Sequence, residues 1–391
     1  GCVGSLELGE EIHDEVRKQG LLEKNVVLGT ALVDMYVKCG EFMKAEKVFE
    51  ELPTQSVGSW SALISGYDHH GLGYEALKCF QKMQDKGIAP DAVTFICIFK
   101  ACANMGSLQM GQEIHAEVCR QGILDKNIVL GTAIVGMYAK HGAMVKAQNV
   151  FDTLLVQNVI TWNSLITGYV QCGSGDEALK CFRQMQDEGI RPNAVTFICV
   201  VKACASIQSL EKGEMIHDEI GKWGLLENLD VVLGTALVDM YVKCESFEDA
   251  CNLLKQPLFH NVEAWNALIS GYSCNGNLIA VNHYMKEMQK EGLKPNRRTF
   301  SSILAACSHV GMVEQGCEHF EGMINVHGVM PVYEHLNCIV DLFSRVGQLE
   351  EAERFLQTMP IDQSLTGWRA LLTSCKVHCN MELGKDCYDQ A

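Results

Sequence analysis

Three stretches of this chain repeat almost the same line, and this repetition restricts the fold more than any other feature. Residues 59–91, 161–193 and 264–296 each have tryptophan as their second residue and end with a Gly-x-x-Pro turn, and they start 102 and 103 residues apart. Self-similarity at a fixed period is typical of stacked supersecondary units. Because each copy is much shorter than a domain, we expect neighbouring copies to share one core.

The block between these copies contains two other recurring lines. GTALVDMYVKCG at 29–40 recurs as GTAIVGMYAKHG at 131–142 and as GTALVDMYVKC at 234–244. VTFICIFKACA at 93–103 recurs as VTFICVVKACA at 195–205, and loosely as RTFSSILAACS. Successive units of the array therefore have 31, 35 and 36 or 37 residues.

The apolar residues of one unit recur with helical spacing and predict two helices. The first stripe is Trp162, Leu165, Ile166 and Tyr169, and the second is Ala178, Phe182 and Met185. The segment CGSGD predicts a turn between them with Asp176 as N-cap, and GIRPN ends the second helix. Since one hairpin cannot bury both apolar faces alone, the sequence predicts an all-α fold. We expect a right-handed superhelical α-solenoid of helix-turn-helix repeats, with first helices on the concave face.

Composition indicates a folded, acidic and reduced protein. The net charge of −16 argues against a generic polyanion binder, which would carry a basic surface. Many of the 19 cysteines fall on apolar helical positions, such as Cys97 and Cys199, so we expect buried thiols and an intracellular compartment. No apolar run approaches the about 20 residues of a membrane-spanning helix, so we expect no membrane partner.

The lines WNSLITGY, TALVDMYVKCG and VTFICVVKACA, in units of alternating length, resemble plant pentatricopeptide repeat (PPR) proteins of the PLS class. The resemblance implies ten units within 26–364. We number them 1 to 10: 26–56, 57–91, 92–127, 128–158, 159–193, 194–230, 231–261, 262–296, 297–332 and 333–364. Residues 1–25 resemble the end of a long unit, and 365–391 the truncated start of a C-terminal extension motif. We therefore expect a fragment that lacks its targeting sequence.

The resemblance implies that two residues in each short or standard unit read one base of single-stranded RNA. This reading pair is the residue after the tryptophan, or after the equivalent glycine, together with the last residue of the unit. The pairs are Ser61 with Asp91, Thr132 with Asn158, Asn163 with Asn193, Thr235 with Asn261, and Asn266 with Asn296. Thr30 with Ser56 and Asn337 with Ser364 are harder to interpret. The family code gives the target G-n-A-C-n-A-C-n-Y, read 5′ to 3′ along the chain.

Hydrogen-bond chemistry fits this code, because Asp only accepts whereas Asn can donate to a bare ring nitrogen of A or C. The family also places an apolar side chain near each unit start to sandwich bases. Val27, Val129, Ile160 and Val232 match this pattern. Gly58 and Glu263 depart from it, so we expect weaker contacts from units 2 and 8. We expect the polar reading residues to face a common groove.

Several structural interpretations compete with these roles. Trp60, Trp162 and Trp265 lie on the apolar stripe, so we expect core packing rather than base stacking. Asn163 and Asn266 are equally compatible with solvated or capping side chains. The last residues of several units follow proline, so turn chemistry alone also accounts for them.

Two patterns resemble metal sites only weakly. His13, His115 and His217 each begin an H-x-E triplet, but the P-C-x-x-C motif of zinc deaminases is absent from the sequence. We expect these histidines to pack or to lie on the surface. Cys375 and Cys379 lie four residues apart, as expected for neighbours on one helix. The sequence therefore predicts no metal, no cofactor and no catalytic residues.

These observations predict sequence-specific binding of single-stranded RNA in a mitochondrion or chloroplast. The resemblance implies RNA processing, most often C-to-U editing, with chemistry supplied by a deaminase domain or by editing-complex proteins in trans. The alternative is a protein-binding scaffold resembling tetratricopeptide (TPR) arrays, which the acidic composition favours.

Overall fold

The computed structural model describes residues 2–22, 25–124, 127–226, 230–256, 259, 261–357, 361–378 and 380–390, without the side chains of 2–5, 361–366 and 389–390. Regular structure in these residues is helical, in 23 α-helices. This is the all-α architecture that the sequence predicts. In chain order the helices are α1 Cys2–Lys18, α2 Val26–Lys38, α3 Phe42–Glu51, α4 Val57–His69, α5 Gly73–Asp85, α6 Ala92–Met105, α7 Leu108–Arg120, α8 Ile128–Lys140, α9 Met144–Thr153, α10 Val159–Gln171, α11 Gly175–Asp187, α12 Ala194–Ser206, α13 Leu210–Lys222, α14 Val231–Lys243, α15 Phe247–Leu254, α16 Val262–Cys274, α17 Leu278–Lys290, α18 Arg297–Val310, α19 Val313–Asn325, α20 Tyr333–Arg345, α21 Leu349–Gln357, α22 Ile361–Val377 and α23 Met381–Gln390.

The chain divides into two compact halves, residues 1–203 and 204–391, and α12 runs across the division. In the N-terminal half, the first helices α2, α4, α6, α8 and α10 pack on one another in sequence. In the C-terminal half, α14, α16, α18, α20 and α22 do the same. Second helices such as α5 and α17 contact the first helix of their own unit and of the next unit. Each half is thus a two-layered row of helical hairpins.

The tryptophans belong to the core, as the apolar stripe predicts. Trp60, Trp162 and Trp265 are buried. Trp162 meets Phe151 of the preceding unit edge-to-face at 4.5 Å, and Trp60 meets Phe49 in the same way at 4.6 Å. Aromatic pairs in this geometry add about 1 kcal/mol beyond the burial of their area. They join each unit to its neighbour and are not available to stack on bases.

Small residues let successive first helices approach closely. A Cβ on Gly66 of α4 would lie 1.5 Å from Val37 Cγ1 of α2, and one on Gly271 of α16 would lie 2.1 Å from Val242 Cγ1 of α14. The recurring Ser-Gly-Tyr and Thr-Gly-Tyr motifs are therefore packing signals. This close approach brings the N-terminal turns of neighbouring first helices together.

Turn residues behave as predicted with one exception. Gly189, with φ +75°, follows the end of α11 and supplies the left-handed conformation that favours glycine. The prediction that Asp176 caps α11 is wrong. The N-cap is Ser174, without a side-chain cap bond, and Asp176 lies in the first turn. There its carboxylate complements the helix dipole.

At the C-terminus, α22 includes the boundary expected between residues 364 and 365.

Candidate nucleic-acid interface

The last residue of most units caps the first helix of the next unit. The side-chain oxygens of Ser56, Asp91, Asn158, Asn193, Asn261 and Asn296 accept backbone N–H groups at 2.8–3.2 Å. Asn127 and Asp230, which end long units, cap in the same manner. Turn chemistry is therefore one real function of these residues, as the competing interpretation holds.

Four of the five reading pairs that we assigned are in hydrogen-bond contact. Asn163 Nδ2 donates to Asn193 Oδ1 at 3.2 Å, and Asn266 Nδ2 donates to Asn296 Oδ1 at 3.1 Å. Ser61 Oγ lies 3.4 Å from Asp91 Oδ1, and Thr235 Oγ1 lies 3.3 Å from Asn261 Oδ1 while its shorter contact, at 2.8 Å, is with the backbone carbonyl of Val231. The packing of first helices thus places residues about 30 positions apart side by side.

The fifth pair is joined through a third side chain. Thr132 Oγ1 lies 2.8 Å from Thr161 Oγ1, and Thr161 Oγ1 donates to Asn158 Oδ1 at 3.0 Å. The backbone carbonyl of Ile128, also 2.8 Å from Thr132 Oγ1, competes with Thr161 for the single hydroxyl proton of Thr132. Thr132 and Asn158 therefore belong to one hydroxyl-bridged network at the start of α10.

The cap decides which atoms the last residues present to solvent. Because the Thr196 N–H requires an acceptor, Asn193 Oδ1 must face α12, and Nδ2 then faces outward as a donor. Asn193 Nδ2 has no hydrogen-bond partner within the described residues. In Asp91 the cap uses Oδ1, which leaves Oδ2 as an unpaired acceptor in the same described region. Capping and base reading are therefore compatible functions of one side chain.

A cleft of about 450 Å³ opens beside the reading pair of unit 5. Asn163 and Asn193 line it, with Ile160 and Val195 among its other residues. These two apolar side chains are 60% and 53% exposed and lie on the cleft together. The cleft therefore combines apolar walls with amide donors, the two features that a binding site for an unpaired base requires.

The predicted sandwich residues are all exposed. Val27, Val129, Ile160 and Val232 project from the first turns of their helices, as the resemblance implied. Sequence reasoning missed Val93 and Val195, which are also exposed and occupy the same register in long units. Their signal was the Ala-Val-Thr-Phe line that opens α6 and α12.

Burial corrects the expectation that every first reading residue lines an open groove. Asn163 retains 8% exposure and contributes to the cleft, but Asn266 has none. Asn266 bonds to Asn296 and to Thr299 as Asn163 does to Asn193 and to Thr196, so these bonds satisfy its amide but do not account for its complete burial. Ser61 is also buried, against Thr94 at 2.7 Å.

Glu263 covers the reading pair of unit 8. Glu263 Oε1 accepts from Asn296 Nδ2 at 3.4 Å, and Oε2 lies 3.4 Å from Arg298 Nη1. The carboxylate of Glu263 thus binds Asn296 Nδ2, whose counterpart in unit 5, Asn193 Nδ2, points to solvent. At the corresponding position of unit 2, Gly58 provides no apolar wall.

In unit 1, Thr30 and Ser56 are not joined by a hydrogen bond among the described residues. Thr30 Oγ1 donates to the backbone of Val26 at 2.9 Å, whereas Ser56 caps α4. Asn337 is half-buried on α20. The side chain of Ser364 lies outside the described part of the chain.

One lysine at the cleft differs from its counterparts. Lys38 and Lys243 form ion pairs with Asp34 at 2.6 Å and with Asp239 at 2.8 Å, each one turn earlier on the same helix. The equivalent Lys140 has Gly136 at that position. Lys140 lines the cleft, donates to Asn104 Oδ1 at 2.8 Å, and forms no ion pair with any described residue. The three recurring lines carry this signal in the sequence, since Gly136 stands where the other two have Asp34 and Asp239.

The H-x-E histidines form structural contacts. His13, His115 and His217 lie 2.8–3.0 Å from the hydroxyls of Tyr36, Tyr138 and Tyr241, respectively. Burial lowers the pKa of all three imidazoles, so the neutral forms are favoured. Among the described residues, no cluster of three or more His, Cys, Asp or Glu side chains has a metal-binding arrangement. Cys375 is buried and Cys379 lies outside the described residues.

None of the helices in the described ranges has the length and apolar character to span a bilayer.

Comparisons with known proteins agree with this architecture. The PPR repeat family matches residues 55–104, 157–206 and 260–309, and the PPR repeat matches 30–57, 298–326 and 334–362. The crystal structure of the pentatricopeptide repeat protein PPR10 in complex with an 18-nt psaJ RNA element has a TM-score of 0.71. It covers 93% of this chain and 54% of that chain at 19% identity, a likeness that shows the fold alone.

Relatives in Arabidopsis thaliana extend along nearly the whole chain. Pentatricopeptide repeat-containing protein At2g33680 is 40% identical over 377 residues, which cover 96% of this chain and 51% of that protein. The mitochondrial pentatricopeptide repeat-containing protein At1g06140 is 35% identical over 384 residues, which cover 98% of this chain and 68% of that protein. The chain spans about half the length of several curated relatives that it matches. By its repeats, its helical pairs and these relatives, the chain belongs to the pentatricopeptide repeat family.

Proposed function

We propose that this chain binds single-stranded RNA in a sequence-specific manner, one base for each reading pair. The target proposed from the pairs is G-n-A-C-n-A-C-n-Y, with the long units unassigned. We also propose that the units follow the PLS-class order of short, standard and long repeats. The binding residues are those of the reading pairs and the exposed aliphatic residues beside them.

The observation that carries the proposal is the cleft of unit 5. The amide of Asn193, fixed by capping, and the amide of Asn163, held by Asn193 and Thr196, both line a space walled by Ile160 and Val195. Lys140 supplies a positive charge for a phosphate at the same place. Cytosine offers adjacent acceptors, O2 and N3, to such a pair of donors. Uracil offers a donor at N3 instead, so it fits less well.

The proposed setting is an organelle. PPR10 was crystallised with an RNA element, and relatives of this chain carry mitochondrial or chloroplastic names. We propose that the chain selects sites in an organellar transcript for processing, with C-to-U editing as the candidate reaction. The proposal places the chemistry in a deaminase domain or editing-complex protein in trans, and it assigns this chain no catalytic role.

A protein-binding scaffold is the second candidate function. The net charge of −16 favours it, because much of the surface would repel a polyanion. The proposals differ in what the cleft of unit 5 binds. An RNA reader requires its amide donors to discriminate bases, whereas a scaffold does not.

The test is Asn193→Asp, measured by fluorescence anisotropy with the labelled RNA G-U-A-C-U-A-C-U-U and with its fourth base changed to U. Asp caps a helix as well as Asn does, so stability should be preserved. The outward donor becomes an acceptor, and the preference should change from C to U by about tenfold or more, because a mismatched pair leaves a desolvated polar group unpaired. Equal affinity of the wild-type chain for both RNAs would refute the proposal, and absence of any RNA binding would favour the scaffold.

A further inference from the structure

A buried hydroxyl lies behind the reading pair of unit 5. Thr196, the third residue of unit 6, has no exposed surface. Its Oγ1 donates to Asn163 Oδ1 at 2.7 Å and accepts the backbone N–H of Asn193 at 3.1 Å. The longer contact to Asn193 Oδ1, at 3.1 Å, competes for the same hydroxyl proton. The hydroxyl therefore contacts both members of the pair.

The C-terminal half contains the same network. Thr299 Oγ1 donates to Asn266 Oδ1 at 2.6 Å and accepts the backbone N–H of Asn296 at 3.0 Å. Thr299 is also fully buried. Two separate halves of the chain thus build one arrangement around the same Asn–Asn pair.

The network fixes the direction of the first amide. Asn193 Oδ1 needs a donor from Asn163, and the Thr196 hydroxyl needs an acceptor from it. Both requirements are met only when Asn163 Nδ2 points toward Asn193 and Oδ1 points toward Thr196. The second N–H of Asn163 has no partner among the described residues, so it remains as a donor beside that of Asn193.

We propose that Thr196 is a positioning residue that sets the base preference of unit 5 to cytosine, and that Thr299 does the same in unit 8 once Glu263 no longer occupies Asn296 Nδ2. This inference rests on the proposed RNA-binding function. A hydroxyl at the third position of the following unit makes both reading amides donors. Without it, the first amide loses its buried donor and is free to rotate.

Unit 7 shows the pair without such a hydroxyl. The third residue of the following unit is Ala264, whose backbone N–H donates to Asn261 Oδ1 at 2.8 Å. There Asn261 Nδ2 points to the backbone carbonyl of Phe259 at 3.4 Å. The N-cap therefore forms without the threonine, and the role that we propose for the hydroxyl concerns the first amide, which is replaced by Thr235 in unit 7.

The experiment compares Thr196→Val, Thr196→Ser and wild type by anisotropy, using the same RNA with C or U at the fourth base. Valine keeps the shape and removes the donor, so the C-over-U preference should fall by about fivefold, as expected for one neutral hydrogen bond. Serine should restore it. The preference for G over A at the first base, which unit 2 reads, serves as the internal control and should not change.

Two results overturn the inference. An unchanged preference in Thr196→Val refutes positioning while leaving RNA binding intact, because the wild type still discriminates. Equal losses at the first and fourth bases, with no rescue by serine, indicate a general loss of structure. A wild type that does not discriminate refutes the proposed function itself. Thr153→Val removes an exposed hydroxyl remote from the cleft and should match the wild type.

Discussion

Units 5 and 8 carry the same reading pair, yet only one of them is open. In unit 5, Asn163 and Asn193 line a cleft between exposed aliphatic side chains. In unit 8, Asn266 is sealed and Asn296 donates to Glu263. The pair itself and the supporting threonine are identical in the two units. Access to the reading atoms is therefore decided by the residues around the pair.

The charges around the two units also favour phosphate binding at unit 5 over unit 8. Lys140 beside unit 5 has no acidic partner in the described chain, whereas Lys243 beside unit 8 is paired with Asp239. The corresponding space in the C-terminal half is lined by Lys243, Asp239 and Arg298, and it includes neither reading residue. In an acidic protein, local loss of one carboxylate is enough to create a favourable place for a phosphate. Unit 5 combines an open reading pair with a lysine that has no acidic partner among the described residues.

Opening unit 8 should have the largest effect. Glu263→Val introduces the residue found at this register in units 1, 4 and 7, frees Asn296 Nδ2 and leaves Arg298 without its ion pair. RNA affinity should rise about tenfold at low salt, since a repulsive charge is removed and a donor is gained. Binding is measured by anisotropy with C or U at the seventh base, and preference for C should appear there.

Two controls separate the causes of that gain. Glu263→Gln removes the charge but keeps an acceptor for Asn296, so it should give an intermediate affinity. Glu50→Val removes a charge from the second helix α3 and should change little. If Glu50→Val has the same effect as Glu263→Val, only net charge matters and the comparison of the two units fails.

Removing the lysine of the open unit should have the next largest effect. Lys140→Ala should weaken binding about fivefold at low salt and should reduce the slope of log affinity against log salt by about 0.7, the value for one phosphate contact on a single strand. Lys38→Ala is the matched control, because that ammonium is already neutralised by Asp34. Equal slopes for both variants would contradict the assignment of Lys140 to a phosphate.

Giving Lys140 an acidic partner on its own helix should have a smaller effect on RNA affinity. Gly136→Asp recreates the i,i+4 pair of the sister lines, and an added Cβ at Gly136 meets no atom within 4 Å. Exposed pairs of this kind are weak, so we expect about a threefold loss of affinity at low salt, vanishing at high salt. Gly136→Asn has nearly the same shape without the charge and should bind like wild type. A loss of affinity in both variants would indicate a steric cause instead.

The sequence predicted the repeat architecture because helical periodicity, turn residues and unit length all agreed. The family resemblance implied the pairing of Asn163 with Asn193, and the two side chains are in hydrogen-bond contact. The sequence did not predict that Asn266 is sealed, since the burial of this side chain depends on how the residues around the pair pack in three dimensions. Asp176 was misassigned as a cap because Ser174 and Asp176 offer the same local signal.

The smallest effect concerns stability, and it tests whether capping is equal in the two units. Asn193→Ala and Asn296→Ala should each cost about 1 kcal/mol, whereas the glycine variants should cost only about a few tenths, as for other N-caps. The long, exposed contact of Asn296 with Glu263 should add less than about 0.5 kcal/mol. Thermal unfolding of the four variants measures this, with shifts in Tm compared within each pair because a repeat array need not unfold in two states. A much larger loss for Asn296→Ala would mean that Glu263 holds the C-terminal half together, and covering of the reading pair would then be a by-product of stability.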